Sequence, residues 1–238
     1  FVADHAGNQF PKHYNDLGLS SDLLETHIAI DIGTHQCCEY MSNLLNAPAI
    51  IAQYSRLLID LNRPPNDPTS IREISDGHII PGNINIASSS YPREQKIRIQ
   101  RYFMPYHDMI DAQLNQMVTQ QNQPALIAIH SFTPSMQNKK RPWHIGVLSN
   151  HDRRLADPFL KALHAEKNHF LPEQIGDNLP YSGHDPHSSY TIQKHAVNRQ
   201  ILHLAIEIRQ DLLTYPKDIN KMAEILCRTL QKALNCAS

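Results

Sequence analysis

The chain lacks any apolar run approaching the ~20 residues that a membrane-spanning helix needs, and its sequence gives no membrane segment. It lacks an excess of either charge. Twenty-two Lys and Arg stand against 23 Asp and Glu, a formal net charge of -1, so no overall field draws it to nucleic acid or to an acidic membrane surface. Cysteine is scarce: Cys37, Cys38, Cys227 and Cys236, with no C-x-x-C among them. That spacing speaks against a cysteine-based metal site and reads as reduced thiols in a cytoplasmic protein. The sequence begins at Phe1, not Met, and leaves open what precedes it. Its 238 residues suit one α/β domain over 1–238, with enough length for a real core. Histidine, by contrast, is abundant at 15, so position must nominate a ligand histidine, not identity alone.

Position nominates two. Phe1-Val2-Ala3 reads as the end of a strand running into Asp4-His5-Ala6-Gly7. Pro124 to Pro134 reads as a buried strand ending in His130. The carboxyl-end rim of an α/β sheet is where ligands collect, and Gly7 is expected to let the backbone approach a bound group. Two imidazoles at the ends of neighbouring strands would meet at one point. Catalytic zinc commonly takes three protein ligands and keeps a fourth position open. Asp31, between Ile30 and Ile32, is the preferred third ligand. The plainer alternative for His5 is a turn histidine in a polar loop. Glu207 sits between Ile206 and Ile208 near the end of the last strand; it is either catalytic or one half of a surface pair with Arg209.

The densest polar constellation is Tyr54-Ser55-Arg56-Leu57-Leu58-Ile59-Asp60-Leu61-Asn62-Arg63-Pro64-Pro65. Two guanidiniums threaded among aliphatic residues need anionic or carbonyl partners. If Asp60 takes one arginine, the other is left for a carboxylate ligand, which the planar guanidinium fork fits. The competing reading is an internal ion-pair network without a ligand. The segment 63–90, rich in Pro, Asn, Asp, Gly and Ser, is expected to wall the pocket, with Asp67, Asp76, His78 and Asn83 as its polar candidates. Tyr181, in the turn 178–184, is a further substrate contact.

The coarse element pattern places helices over 35–46 (Met41, Leu44 and Leu45 inward), 92–121 with a bend at Pro105, 153–165 and 218–235 with Asp218 as N-cap. Tyr102, Met109, Ile110, Leu114, Met117 and Val118 form the expected core-facing stripe of the second. Strands are expected over 47–54, 124–134, 143–148 and 201–211.

Tyr-Ser-Arg-x-x-x-Asp-Leu-Asn-Arg-Pro-Pro at 54–65, followed by Ser75-Asp76-Gly77 and Pro81-Gly82-Asn83, resembles the N-formylglutamate amidohydrolase family. Asp60-Leu61-Asn62-Arg63 alone is also similar to the segment beside the metal in zinc carboxypeptidases. The resemblance covers nearly the whole chain. It implies a three-layer αβα sandwich with a mixed, mostly parallel sheet, phosphorylase/hydrolase-like as in zinc carboxypeptidases. It further implies a Zn2+ (or other divalent transition metal) centre at His5 and His130, for which Asp31 is the preferred third ligand, with Glu207 as base and Arg63 or Arg56 as oxyanion stabiliser, the other arginine holding a substrate carboxylate. Arg56, Asp60, Asn62, Asp76, Asn83 and Tyr181 would line the substrate site. The implied substrate is a small-molecule N-acyl amino acid such as N-formylglutamate. One departure stands out: zinc carboxypeptidases place a Glu three residues after the first His, where this chain has Asn8. That departure leaves the third ligand open between Asp31 and another residue and keeps alive a metal-less carboxylate-binding relative; a sister deacylase or carboxypeptidase using the same site is the other alternative.

Overall fold

A computed structural model describes residues 1–86, 92–120, 122–185 and 189–237. The parts of the expected loop at 87–90 and the expected helix end at 121 lie outside these residues. Six strands form one sheet: β1 (Val2–Ala3), β2 (Ile50–Ile51), β3 (Ala125–Phe132), β4 (Ile145–Leu148), β5 (Ile175–Asp177) and β6 (Leu202–Arg209). Their spatial order is β2-β1-β3-β6-β4-β5. The pairings are parallel except for β6 against β4. The sheet is therefore mixed and mostly parallel, and both its faces are covered.

Strand parity sorts the side chains between those faces. Ile127, Ile129, Leu204, Ile206 and Ile208 pack with Cys37, Cys38 and Met41 of α1 (Thr34–Leu45), with Phe159 and Leu163, and with Leu226 and Leu230. Leu126, Ala128 and Ala205 pack on the other side with Phe103, Tyr106, Ile110, Leu114 and Ile192. These belong to two further helical layers, described by α2 (Pro92–Arg98), α3 (Met104–Thr119), α4 (Ala156–His164), α5 (Tyr190–His195) and α6 (Pro216–Ala237). α1, α4 and α6 cover one face, and α3 and α5 the other, giving the αβα sandwich. His130 and Glu207 continue the parity of Ala128 and Ala205 and stand directly opposite each other in the β3–β6 register.

Several sequence expectations are corrected in detail. The strand expected over 47–54 is only Ile50–Ile51, with an isolated bridge from Gln9 to Tyr54. The edge strand β5 was not anticipated. The helix from Pro92 runs as two helices joined by a π-turn at Ile99–Phe103. That wider turn accommodates Pro105, which lacks an N–H and whose ring crowds the carbonyl four residues back. Met109 and Val118 are exposed, at 53% and 54%, because the buried face of α3 is Tyr106, His107, Ile110 and Leu114. Leu44 is likewise exposed; α1 turns Cys37, Cys38 and Met41 inward instead. Asp218 lies in the first turn of α6 and does not cap it, since Pro216, with φ already helical, starts the helix earlier. Gly7 approaches the backbone of Gln53 and Ala52 and not a ligand; a Cβ there would collide with both carbonyls.

The loop over the pocket is stapled by Arg98, which is 1% exposed. Its Nη1 donates to Leu58 O (2.9 Å) and Asn83 Oδ1 (2.6 Å), and its Nη2 to Gly82 O (3.1 Å). Its counterion is Glu94, 3.0 Å from Nε, which also accepts from Tyr14 at 2.7 Å. Burial pushes the Glu94 carboxyl up, but the Tyr14 hydroxyl and the Arg98 guanidinium outweigh it and leave it below its usual 4.5. A depressed carboxylate contributes stability above its unfolded value and loses it as pH falls through the lower folded value. Glu94→Gln should cost about 1–3 kcal/mol at pH 7. The gap to wild type should narrow as denaturant melts are repeated below pH 4.5; a gap that widens on acidification contradicts this role.

Candidate functional site

The chain leaves β1 through Asp4 and His5, and the turn after it folds back so that Asp31 N donates to His5 O at 2.9 Å. Asp31 is held from its other side as well: its carbonyl accepts from Thr34 Oγ1 at 2.6 Å at the start of α1. Gly33, with φ of 79°, makes the turn into that helix. A side chain there would strike Leu213, so a position of this kind takes glycine. By these means the carboxylate of Asp31 reaches the ends of β1 and β3.

Three donor groups meet there. His130 Nδ1 is 2.8 Å from Asp31 Oδ2, and His5 Nδ1 is 3.4 Å from the same oxygen. One ligand atom from each of His5, Asp31 and His130 lies within 4.8 Å of the others. All three residues are buried, and the two rings are 5.0 Å apart between centroids. The opposite ring nitrogens face carboxylates: His5 Nε2 is 2.7 Å from Asp60 Oδ1, and His130 Nε2 is 3.4 Å from Asp4 Oδ2. An imidazole that gives its far N–H to a carboxylate turns a lone pair toward the centre, the usual arrangement behind a metal-ligating histidine.

The electrostatics favour a cation at this point. Burial and Arg56 push the His5 imidazole down, yet Asp60 and Asp31 prevail and hold it above its usual value. Burial also opposes charge on His130, and Asp31 and Asp4 overcome it, raising it well above 6.5. Burial would raise Asp31, but His5 and His130, with Arg56, hold its carboxyl far below 3.8. His5 Nδ1, His130 Nε2 and Asp4 Oδ2 are buried without a hydrogen-bond partner among the described residues. A two-imidazole, one-carboxylate set with an orphaned ring nitrogen fits a divalent transition metal. Asn8 does not join it, since its side chain bonds Leu24 O and Glu25.

The guanidiniums stand beside this cluster. Arg56 bridges two carboxylates, with Nη1 3.3 Å from Asp31 Oδ1 and Nη2 3.0 Å from Asp60 Oδ2. Arg63 Nε lies 3.4 Å from Asp60 Oδ2, and its Nη1 donates to Thr69 at 3.2 Å. Asp60 thus meets both arginines, along with His5 and the backbone N–H of Asn62. The expectation that Asp60 would take one arginine and leave the other is corrected: one carboxylate bent between two residues of the same loop serves both.

A cavity of about 400 Å³ opens over these groups. Its lining includes His5, Asp31, His130, Arg56, Arg63 and Glu207, together with Asp60, Asn62, Asp76 and Tyr181 from the sequence-based set. Asp76 pairs with His27 at 3.2 Å. Tyr181 accepts from Arg141 at 3.1 Å. Asn83 is a correction: it is fully buried away from the cavity, its Nδ2 spent on Leu57 O and Arg72 O and its Oδ1 on Arg98. Of the other loop candidates, Asp67 caps the turn at 68–70 through Thr69 N, and His78 is exposed on a short hairpin. Glu207 is 7% exposed, and burial raises its carboxyl to about 7. Its Oε2 has no partner among the described residues. It does not pair with Arg209, which binds Asp211.

Two residues escaped the sequence reading. Asp4 lies 3.4 Å from His130 Nε2 and is itself fixed by Tyr106 (2.7 Å) and Thr191 (3.0 Å); its place directly before His5 was the available signal. Arg72 is a third arginine in the cavity; its signal was an isolated cation beside the buried Ile71.

The family model described as N-formylglutamate amidohydrolase matches residues 1–214. The gene product Atu2144 of Agrobacterium tumefaciens superposes with a TM-score of 0.91 at 31% identity, over 98% of this chain and 89% of that one. N-formylglutamate amidohydrolase from Ralstonia eutropha JMP134 superposes with a TM-score of 0.69 at 18% identity, over 99% of this chain and 93% of that one. No curated protein matches the chain.

If the carboxylate behind His5 orients a ligand, Asp60→Asn should weaken zinc binding about 10- to 100-fold, read by competition with a chromophoric chelator. An unchanged affinity in a folded Asp60→Asn protein would remove Asp60 from that role.

Proposed function

The chain belongs to the N-formylglutamate amidohydrolase family, and on that premise we propose that residues 1–238 act as one metal-dependent domain hydrolysing the amide of an N-acyl amino acid such as N-formylglutamate. The products are the free amino acid and the acyl carboxylate, formate for a formyl group. The observation that carries this reading is Glu207: a buried carboxyl raised to about 7, with an unpartnered Oε2, directly across the strand pair from His130. A general base is most effective with a pKa near the operating pH.

Zinc, or another divalent transition metal, held by His5, Asp31 and His130 would supply Lewis acidity for the scissile carbonyl and acidify the attacking water. Glu207 Oε2 takes a proton from that water as its oxygen bonds to the acyl carbon. The same carboxyl returns the proton to the amine nitrogen as the C–N bond breaks. Arg63, fixed against Asp60 and Thr69, faces the negative charge that grows on the acyl oxygen, where a preorganised donor has most effect. Arg56 spends two N–H groups on Asp31 and Asp60. A guanidinium has five, so others remain for the α-carboxylate. Asn62 is held by its bond to Thr191 N (3.0 Å) at the cavity wall, and Tyr181, steadied by Arg141, covers the acyl group.

Formate release from N-formyl-L-glutamate should require metal and stop with chelator. Glu207→Gln should keep metal and lose about 10²- to 10⁴-fold in kcat. The acid limb of kcat/KM should lie at or below about 7, because a bound cation lowers a neighbouring carboxyl. Retained turnover in Glu207→Gln contradicts its role as base. Cleavage of a C-terminal peptide bond in preference to the formyl amide contradicts the substrate class.

A further inference from the structure

Among the described residues the cavity has a guanidinium, that of Arg72, with no hydrogen bond at Nε and no ion pair. Arg72 follows the turn at 68–70, and its backbone is fixed on both sides. Asp60 N donates to Ser70 O at 2.7 Å, Ile71 is completely buried, and Arg72 O accepts from Asn83 at 2.8 Å. Its side chain lines the same cavity as Arg56 and Arg63. Its Nε is buried without a hydrogen-bond partner, and its guanidinium makes no ion pair among the described residues. Burial, then the charges of Arg56 and Arg63, push it down to about 10, while Asp60 and Asp67 attract it only from beyond ion-pair distance.

Three of the other acids in the cavity are engaged elsewhere, and the fourth, Glu207, is pushed toward its neutral form by burial. Asp31 and Asp60 face His5, His130, Arg56 and Arg63, and Asp76 faces His27. A half-buried guanidinium without a counterion is costly. It is held by a backbone pinned on both sides, so the side chain cannot simply swing into water with its loop. A ligand anion would relieve the cost, and a carboxylate fits the fork in two parallel hydrogen bonds.

We propose that Arg72 receives the side-chain carboxylate of the substrate, so that this residue, and not Arg56 or Arg63, sets the discrimination between acidic and neutral N-acyl amino acids. The inference rests on the functional reading above for the N-acyl amino acid, and it assigns Arg56 and Arg72 to separate carboxylates. Arg72 is a specificity residue under this proposal: it touches substrate away from the reacting carbon.

The test compares N-formyl-L-glutamate with its neutral isostere N-formyl-L-glutamine on wild type, Arg72→Gln and Arg72→Lys. Wild type should favour the glutamate substrate by about 10- to 100-fold in kcat/KM. Arg72→Gln should bring that ratio close to 1, chiefly through KM, and Arg72→Lys should restore part of it. The Arg72→Gln protein should melt no lower than wild type, because it loses an unanswered buried charge. An equal proportional loss on both substrates, or an unchanged ratio, overturns the proposal. If wild type hydrolyses no N-acyl amino acid, the functional reading falls and calorimetry with glutarate decides on Arg72. Glutarate binding at least tenfold weaker in Arg72→Gln supports the carboxylate site, and equal affinity overturns it.

Discussion

Carboxylate oxygens shared among several cations organise this molecule. Asp31 Oδ2 meets both His5 and His130 while Oδ1 meets Arg56. Asp60 Oδ1 meets His5 while Oδ2 meets Arg56 and Arg63. Neither carboxylate could sit alone at this depth, because burying an unpaired charge is far more costly than burying a compensated one. The same holds for the imidazoles of His5 and His130, which these carboxylates face. The groups are mutually obligatory, and they come from segments 5, 31, 56–63 and 130 that only the finished sheet brings together.

The sheet does this through ordinary geometry. Parallel β1, β3 and β6 end on the same side, and the one-residue alternation of side chains puts His130 and Glu207 on one face while their aliphatic neighbours fill the other. Gly146 pairs with Glu207 across the antiparallel β6–β4 junction. A Cβ at Gly146 would press on Leu179 O and on Glu207 itself, so the bare backbone there leaves room for the acid. On the opposite wall the Arg98 staple fixes a loop that has little regular structure of its own. A site held by a rigid sheet on one side and a pinned loop on the other keeps its polar groups preorganised, the condition under which such groups act most strongly on a reacting centre.

Much of this was legible in the sequence, and the reasons differ by residue. His5, His130 and Glu207 each end an apolar strand, a local pattern that survives folding intact. The spacing of Arg56, Asp60 and Arg63 fitted either a spare arginine for a ligand or a closed charge network, and only the folded loop shows Asp60 meeting both arginines. Asp31 could be guessed from its isoleucine neighbours, but its meeting with His130 is a contact across 99 residues and no local rule contains it. Asn83 was misread because a polar residue in a loop serves loop architecture as readily as a ligand, and only the positions of Leu57 and Arg98 decide between them. Arg72 was passed over because its distinction is a missing partner, which becomes visible only when every neighbouring anion has been located. Two-residue strands such as β1 and β2 carry too little pattern to fix their lengths, and the face of α3 was blurred by apolar residues that the helix leaves exposed.

The central claim is that the shared carboxylate and two imidazoles form a seat for one divalent cation. Anomalous diffraction at the zinc edge from crystals of zinc-loaded protein tests it most directly. The account predicts a single strong peak per chain, bonded by His5 Nδ1, Asp31 Oδ2 and His130 Nδ1. A peak coordinated by other residues, or none at this cluster in protein shown to be saturated with zinc, would contradict it.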